Sequence, residues 1–339
     1  MKSRTMKAFT FKRYGKSPDQ GFDNVDFPSP GADEILVKVH AVGLNPIDNM
    51  IPTGMFKPVL HFKLPATLGS DLAGVVVAVG ARVTRFIPGN AIFASIFDTG
   101  MGSLAEFVVV PESLAALKPA NLDFVQAASL PMVSLTSWQA FTERANLQPG
   151  QKVFIPAGSG GIGSFAIQLA RHFGAKVGTT TSSVNVEWVN RLGADEVVDY
   201  KNQEFENVLS DYDIVLGTVR GNAIEKSTQT LKPGGKIISL IGPLDAAFAQ
   251  ARGLNFLLRF VFWLMSRKII SLTKKRSLTY SFFFVRPDGA QLTQISKLTE
   301  AEHIIPVIDK VFPFAATKDA LDYLARGHAK GKVVVMLQE

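Results

Sequence analysis

Residues 157–163 read Ala-Gly-Ser-Gly-Gly-Ile-Gly, which places Gly158, Gly160 and Gly163 in the spacing G-x-G-x-x-G. The spacing carries chemistry when a strand precedes it and a helix follows. Here the short apolar run Lys152–Ile155 comes before it, and residues 162–173 have helical periodicity after it. Gly158 turns the chain tightly, Gly160 lets the backbone approach a pyrophosphate, and Gly163 allows close packing of helix on strand. The helix start, with Ser159, Gly161 and Ile162, points free N–H groups and a positive dipole end at phosphates. A glycine-rich turn with no ligand is the bland alternative. The flanking strand and helix favour dinucleotide binding.

The elements around the turn alternate. Strand-like runs at residues 176–180, 196–199, 213–216 and 236–241 are separated by helical stretches at 184–192 and 223–231. That alternation predicts βαβ units and a parallel sheet. A helical stretch over about 251–271, a strand over 278–285 and a helix over 287–301 follow. The tail, 304–314, 316–326 and 332–337, reads strand, helix, strand. Before residue 125 the chain is different: short β-like runs at 34–42, 74–79, 91–96 and 105–110 are punctuated by Gly and Pro, which predicts a barrel or sandwich.

A length of 339 residues suggests two domains, and 47% hydrophobic with 19% charged residues excludes intrinsic disorder. The absence of Cys excludes disulfides, thiolate nucleophiles, iron–sulfur clusters and Cys-ligated zinc. The five His show no ligand spacing, so no metal is expected. The first ten residues contain no apolar run of signal-peptide length, and a cytoplasmic location is expected.

Five segments carry a family resemblance: Asn45-Pro46-Ile47-Asp48, residues 68–75 (Leu-Gly-Ser-Asp-Leu-Ala-Gly-Val), residues 135–140 (Leu-Thr-Ser-Trp-Gln-Ala), the glycine turn, and Leu192-Gly193-Ala194-Asp195. In this order they resemble the medium-chain dehydrogenase/reductase superfamily, in its zinc-independent quinone oxidoreductase branch, from about residue 6 to 337. The resemblance implies an α/β fold: a Rossmann doubly wound parallel sheet over residues 128–301, plus a GroES-like β-barrel domain over 1–127 completed by 302–339. Asn45, Ser70 and a residue near Met132 stand where zinc-dependent relatives place metal ligands. Without a Lewis acid to hold an alkoxide, the expected chemistry is hydride delivery to an electron-poor acceptor, a quinone or an enone. A cofactor-binding protein without turnover is the non-enzyme alternative.

By resemblance, Asn45 and Asp48 lie beside the nicotinamide and the substrate as catalytic residues, while Asp48 has an equal chance of being only a turn residue after Pro46. Thr136, Ile241, Gly242, Phe283 and Lys332 are carried over as cofactor contacts, and Tyr200 as a residue at the adenosine phosphate. Met50 and Phe56 stand where the branch often has tyrosines, and Pro52 where it has an arginine.

The cofactor expected is NADPH. An acidic residue about 20 positions past the glycines marks NAD preference. Here the strand at 176–180 runs into Thr181, Ser182 and Ser183, with Asn185 after them and Glu187 already on a helix. Hydroxyls and helix N–H groups can accept a 2′-phosphate, and the same residues would also cap the helix.

Residues 252–276 mix basic and large apolar side chains. A core-packed helix with snorkelling arginines is favoured over a substrate lid or a peripheral membrane patch. No motif supports nucleic-acid binding. The apolar strand at 278–285 is expected at the sheet edge, where twofold pairing would extend one sheet across a homodimer.

Overall fold

Alternation in the first part of the chain becomes strand pairing in the computed structural model, which describes residues 4–338. Strand β1 (Thr5–Arg13) buries Ala8, Phe9 and Phe11 and pairs antiparallel with β2 (Asp19–Asp26). Strand β3 (Glu34–Leu44) buries Ile35, Val37 and Val39, as its β-branched pattern requires. It leads through Asn45 into helix α1 (Pro46–Met50), where Pro46 occupies the first turn and lacks only an N–H that would have no partner there. Strands β4 (Ala66–Thr67), β5 (Asp71–Val79), β6 (Ala91–Ser95), β7 (Phe107–Pro111) and β8 (Ala115–Leu117) follow. Then come two helices, α2 (Phe124–Ala128) and α3 (Pro131–Gln139).

The second part is six parallel strands with helices between them. They are β9 (Lys152–Ile155), α4 (Gly161–His172), β10 (Lys176–Thr181), α5 (Val186–Arg191), β11 (Glu196–Asp199), β12 (Tyr212–Gly217), α6 (Ala223–Ser227), β13 (Leu231–Ser239), α7 (Ala246–Ala251), α8 (Phe256–Lys275) and β14 (Thr279–Phe282). The sheet order is β11-β10-β9-β12-β13-β14, or 3-2-1-4-5-6 within this sheet. That is the doubly wound arrangement, and its direction of winding reverses between β9 and β12. Strand β14 stands at the edge, as expected.

Helix α9 (Gly289–Glu300), strand β15 (Ile308–Pro313), helix α10 (Thr317–Ala325) and strand β16 (Lys332–Met336) complete the chain. Strand β16 pairs antiparallel with β3, so the tail returns to the first sheet, whose order is β15-β16-β3-β5-β6-β8 with β7 also on β3.

The chain divides into two units, one running to Leu135 and resuming at Arg286, the other spanning Thr136–Val285. These limits differ from those read off the sequence, which left residues 287–301 with the parallel sheet. Helix α9 belongs to the first unit because it packs closely there. A Cβ on Gly289 would sit 2.3 Å from the Ala115 carbonyl oxygen, and Asn121 Nδ2 donates to the Thr299 carbonyl at 2.9 Å.

Helix α8 departs from the core-packed reading. Its buried stripe is only Phe262, Ser266, Ile269 and Thr273, while Phe256, Phe260 and Trp263 are 83%, 53% and 50% exposed. The helix covers the sheet with a narrow, partly polar face. Among the described residues, no helix is long and apolar enough to cross a membrane.

Candidate active site

The second unit holds the phosphate turn. Helix α4 begins at Gly160, whose extended backbone provides no side-chain cap, so the first N–H groups of the helix keep their donors free of any capping side chain. The three glycines have different reasons. A Cβ on Gly158 would lie 2.2 Å from Thr179 Oγ1, and one on Gly163 would lie 2.3 Å from the Ala157 carbonyl oxygen. Both are forced by internal packing. At Gly160 the nearest atom is 3.4 Å away, so close packing inside the protein does not require glycine there. The backbone at Gly160 is therefore open to approach from outside, the kind of room a pyrophosphate needs. An anion at such a helix end gains on the order of 0.3–2 kcal/mol from the dipole.

Hydrogen bonds hold the turn in place. Gly158 N donates to the Thr180 carbonyl at 3.0 Å, Ala157 N to Thr180 Oγ1 at 3.1 Å, and Thr218 Oγ1 to the Pro156 carbonyl at 2.7 Å. Ser159, Gly161 and Ile162 lie along the same half-buried rim.

The corner after β10 is built from two neighbouring strands. Thr181 is buried, and its Oγ1 has no hydrogen-bond partner. Asn185 turns inward and donates from Nδ2 to Ser182 Oγ at 3.2 Å. Tyr200 N donates to the Thr181 carbonyl at 3.1 Å, which brings the exposed Tyr200 and Lys201 beside the serines. The register of β10 on β11 sets Asp199 opposite Thr181.

A carboxylate therefore does stand at this corner, which corrects the expectation drawn from β10 alone. It comes from the adjacent strand. Asp199 accepts hydrogen bonds from Ser183 Oγ, from Lys201 N at 3.0 Å and from Asn202 Nδ2 at 2.7 Å. Chiefly the Ser183 bond, with the Lys201 N–H, holds its pKa below the usual carboxylate range.

Other carried-over residues of this unit follow strand ends or lie on α3. Ile241 and Gly242 come after β13, where Ser239 Oγ donates to the Gly242 carbonyl at 2.8 Å. Phe283 is buried just past β14, with the Arg144 guanidinium 5.5 Å from its ring centre. Thr136 is buried on α3. The glycine turn, Thr181, Ile241 and Phe283 thus all lie at the carboxyl ends of parallel strands, the edge where open α/β sheets bind ligands.

The first unit holds a buried polar cluster around Asn45. Gly43, just before it, lies so close to α2 that a Cβ there would be 2.1 Å from the Ala128 carbonyl oxygen. Asn45 N donates to Asp48 Oδ2 at 2.7 Å. Asn45 Nδ2 donates to Asp71 Oδ2 at 2.9 Å and to Ser70 Oγ at 3.2 Å, and Asn45 Oδ1 accepts from Lys332 Nζ at 2.5 Å. Lys332 also donates to the Leu44 carbonyl at 2.7 Å, and Met132 N donates to Asp71 Oδ2 at 3.1 Å.

All five side chains, Asn45, Asp48, Ser70, Asp71 and Lys332, are at most 5% exposed. Burial pushes the Asp48 carboxyl up to about 7 and also raises Asp71, while it lowers the Lys332 ammonium. Two carboxyls and one ammonium would bury a net negative charge. A proton kept on Asp48 makes the cluster neutral, which is the cheaper state in a dry interior.

The residues nominated from sequence thus fall into two groups. Asn45, Asp48 and Lys332 form one cluster in the first unit. Residues 158–163, Thr181, Ser182, Ser183, Asn185, Tyr200, Ile241, Gly242 and Phe283 lie along one sheet edge in the second, which also holds Thr136 on α3. Asp48 serves as a turn residue bonded to Asn45 N, and Lys332 has its ammonium engaged by Asn45 and Leu44. Asp199 was missed because its signal lies in strand neighbourhood, which local sequence does not carry.

Comparison with known proteins agrees with this layout. Residues 31–120 match the family described as alcohol dehydrogenase GroES-like domain, and residues 192–335 match the family described as zinc-binding dehydrogenase. The chain is 33% identical to the NADPH-dependent alkenal/one oxidoreductase, chloroplastic, of Arabidopsis thaliana, over 98% of this chain and 80% of that protein. It is 32% identical to the chloroplast envelope quinone oxidoreductase homolog of the same plant, over 99% of each. The solved quinone oxidoreductase from Coxiella burnetii superposes with a TM-score of 0.85 at 27% identity, covering 99% of this chain and 100% of that one.

Proposed function

Because the chain belongs to the zinc-independent, quinone oxidoreductase-like branch of the medium-chain dehydrogenase/reductase superfamily, and is an oxidoreductase of the nicotinamide-dependent kind, we propose that it reduces quinones with NADPH. The observation that carries the cofactor half is Gly160: an uncapped helix start at the switch edge, glycine where no close protein contact demands it. When bound, the nicotinamide supplies the hydride, and the protein supplies orientation and exclusion of water.

In this reading the N–H groups at the start of α4, with Ser159, Gly161 and Ile162 around them, hold the pyrophosphate. Thr181, Ser182, Ser183, Asn185 and Tyr200, with Lys201 beside them, receive the 2′-phosphate. Asp199 stays charged beside this corner, its oxygens turned to Ser183, Lys201 and Asn202, so in this reading it tempers the preference for NADPH without reversing it. Thr136, Ile241, Gly242 and Phe283 serve the nicotinamide end. For Asn45, Asp48 and Lys332 the geometry supports a positioning role, since their polar atoms are occupied by one another. The cluster fixes the turn after β3.

The second reading is reduction of a conjugated C=C bond, favoured by near-equal identity to the alkenal/one and quinone relatives. Steady-state oxidation of NADPH with a quinone panel beside an enone panel separates the two. Turnover confined to enones overturns the quinone reading, and turnover with neither returns the chain to a non-catalytic binding role. The cytoplasmic location rests on the sequence alone, and imaging of a tagged chain tests it against the chloroplastic setting of the relatives.

A further inference from the structure

Helix α8 is amphipathic with its apolar face outward. Phe256, Leu257, Phe260, Trp263, Leu264 and Met265 are all exposed, and the Phe260 and Trp263 rings stack on each other with centroids 5.6 Å apart. At 100° per residue most of these lie opposite the buried stripe of Phe262, Ser266, Ile269 and Thr273. Surface apolar residues scattered singly need no explanation, but a contiguous patch of this kind marks a contact surface.

The outer face changes character along the helix axis. Past Met265 it becomes basic, with Arg267, Lys268, Lys274 and Lys275 exposed and Arg276 just beyond. Lys268 is paired with Glu225 at 2.8 Å. Between Asp245 and Asp288 the sequence has eight Lys and Arg and no Asp or Glu, while the rest of the chain has 28 basic and 29 acidic residues. The whole net charge of +7 is therefore concentrated around this one helix.

We propose that α8 is an interfacial anchor that lies on an acidic lipid bilayer. Its first turns would set Phe256, Phe260 and Trp263 among the acyl chains, and its last turns would set Arg267, Lys274 and Lys275 against lipid phosphates. Charge selects this occupant. A second copy of the same face carries no acidic side chain to pair with these basic residues in either helix orientation, whereas an acidic bilayer complements them all. The helix is too polar to span, which fits lying on the surface. Binding of α8 to a bilayer would require neither the acceptor nor NADPH.

Sedimentation with phosphatidylcholine vesicles, with and without about one third phosphatidylglycerol, tests it. The full chain should bind the acidic vesicles, release as salt rises, and ignore the neutral ones. Trp263 emission should shift to the blue on binding, a shift that Trp263→Phe removes. Phe260→Asp with Trp263→Asp, and separately Arg267→Glu with Lys274→Glu and Lys275→Glu, should each weaken binding about tenfold or more at unchanged far-ultraviolet circular dichroism. Absence of binding to acidic vesicles at low salt overturns the proposal, as does binding that both variants leave intact. A wild type that ignores vesicles while Phe260→Asp with Trp263→Asp lowers its mass in light scattering would instead assign the face to a second copy. A wild type that ignores vesicles while that variant raises KM for apolar quinones would assign it to a substrate lid.

Discussion

Lys332 Nζ, 287 residues along the chain from Asn45, donates to the Asn45 Oδ1 at 2.5 Å in an interior that excludes water. That bond joins the last strand, β16, to the turn that leaves β3, and it places the only buried ammonium of the cluster 3.8 Å from Asp71. Removing one member of such a group strands the others.

Lys332→Met should therefore destabilise the protein by about 3–5 kcal/mol, because Asp71 loses its compensating charge. Urea unfolding monitored by circular dichroism measures it. A loss below about 1 kcal/mol would show that the ammonium is not structural.

Asp48 makes stability depend on pH. Its folded pKa of about 7 lies above an unfolded value of roughly 3.9, so the folded state binds more protons between those limits. Unfolding free energy from this group therefore falls as pH rises through that window. In Asp48→Asn the fall should be smaller, by an amount on the order of 1–4 kcal/mol across the window. Identical pH–stability slopes for both proteins would remove Asp48 as the source.

The three glycines should separate in a binding experiment. Gly160→Val should stay within about 0.5 kcal/mol of wild-type stability yet lose NADPH affinity by tenfold or more, read by cofactor fluorescence. Gly158→Val and Gly163→Val should lose stability first, because their side chains meet Thr179 and Ala157. Unchanged affinity in Gly160→Val would place the dinucleotide elsewhere.

Coenzyme preference should follow the corner at Thr181. The wild type should favour NADPH over NADH in kcat/KM, and Thr181→Asp or Ser182→Asp should invert the order by more than tenfold. A close like charge at the half-buried Ser182 costs a few kcal/mol at most, which is sufficient, and at the buried Thr181 the carboxylate also carries a desolvation cost. Asp199→Asn should raise the preference for NADPH further, since it removes the one carboxylate paired across from Thr181. A wild type that prefers NADH contradicts this assignment while leaving the phosphate turn intact.

Strand β14 should mediate assembly. Among the described residues it ends the parallel sheet with one edge unpaired, and pairing with a twofold mate would cover that edge. Light scattering should show a dimer at micromolar concentration, and a monomer there contradicts it.

What the sequence by itself determined is whatever depends on short-range pattern. The glycine spacing between β9 and α4 and the β-then-βαβ order are periodicities and turn chemistries that neighbours along the chain impose, whereas the return of the tail came from the family resemblance and is made by the pairing of β16 with β3. What the tertiary structure decided are the relations between residues distant in sequence. Asp199 reaches the Thr181 corner only through the register of two parallel strands. Lys332 meets Asn45 only because β16 pairs with β3, and the protonation of Asp48 follows from a burial that no local segment specifies. Helix α8 shows the same division from the other side. The need for a helix to connect two strands predicted a core-packed element, but only one side of a helix at a sheet face can be covered, and here the sheet took the face with Ser266 and Thr273 and left Phe260 and Trp263 to the solvent.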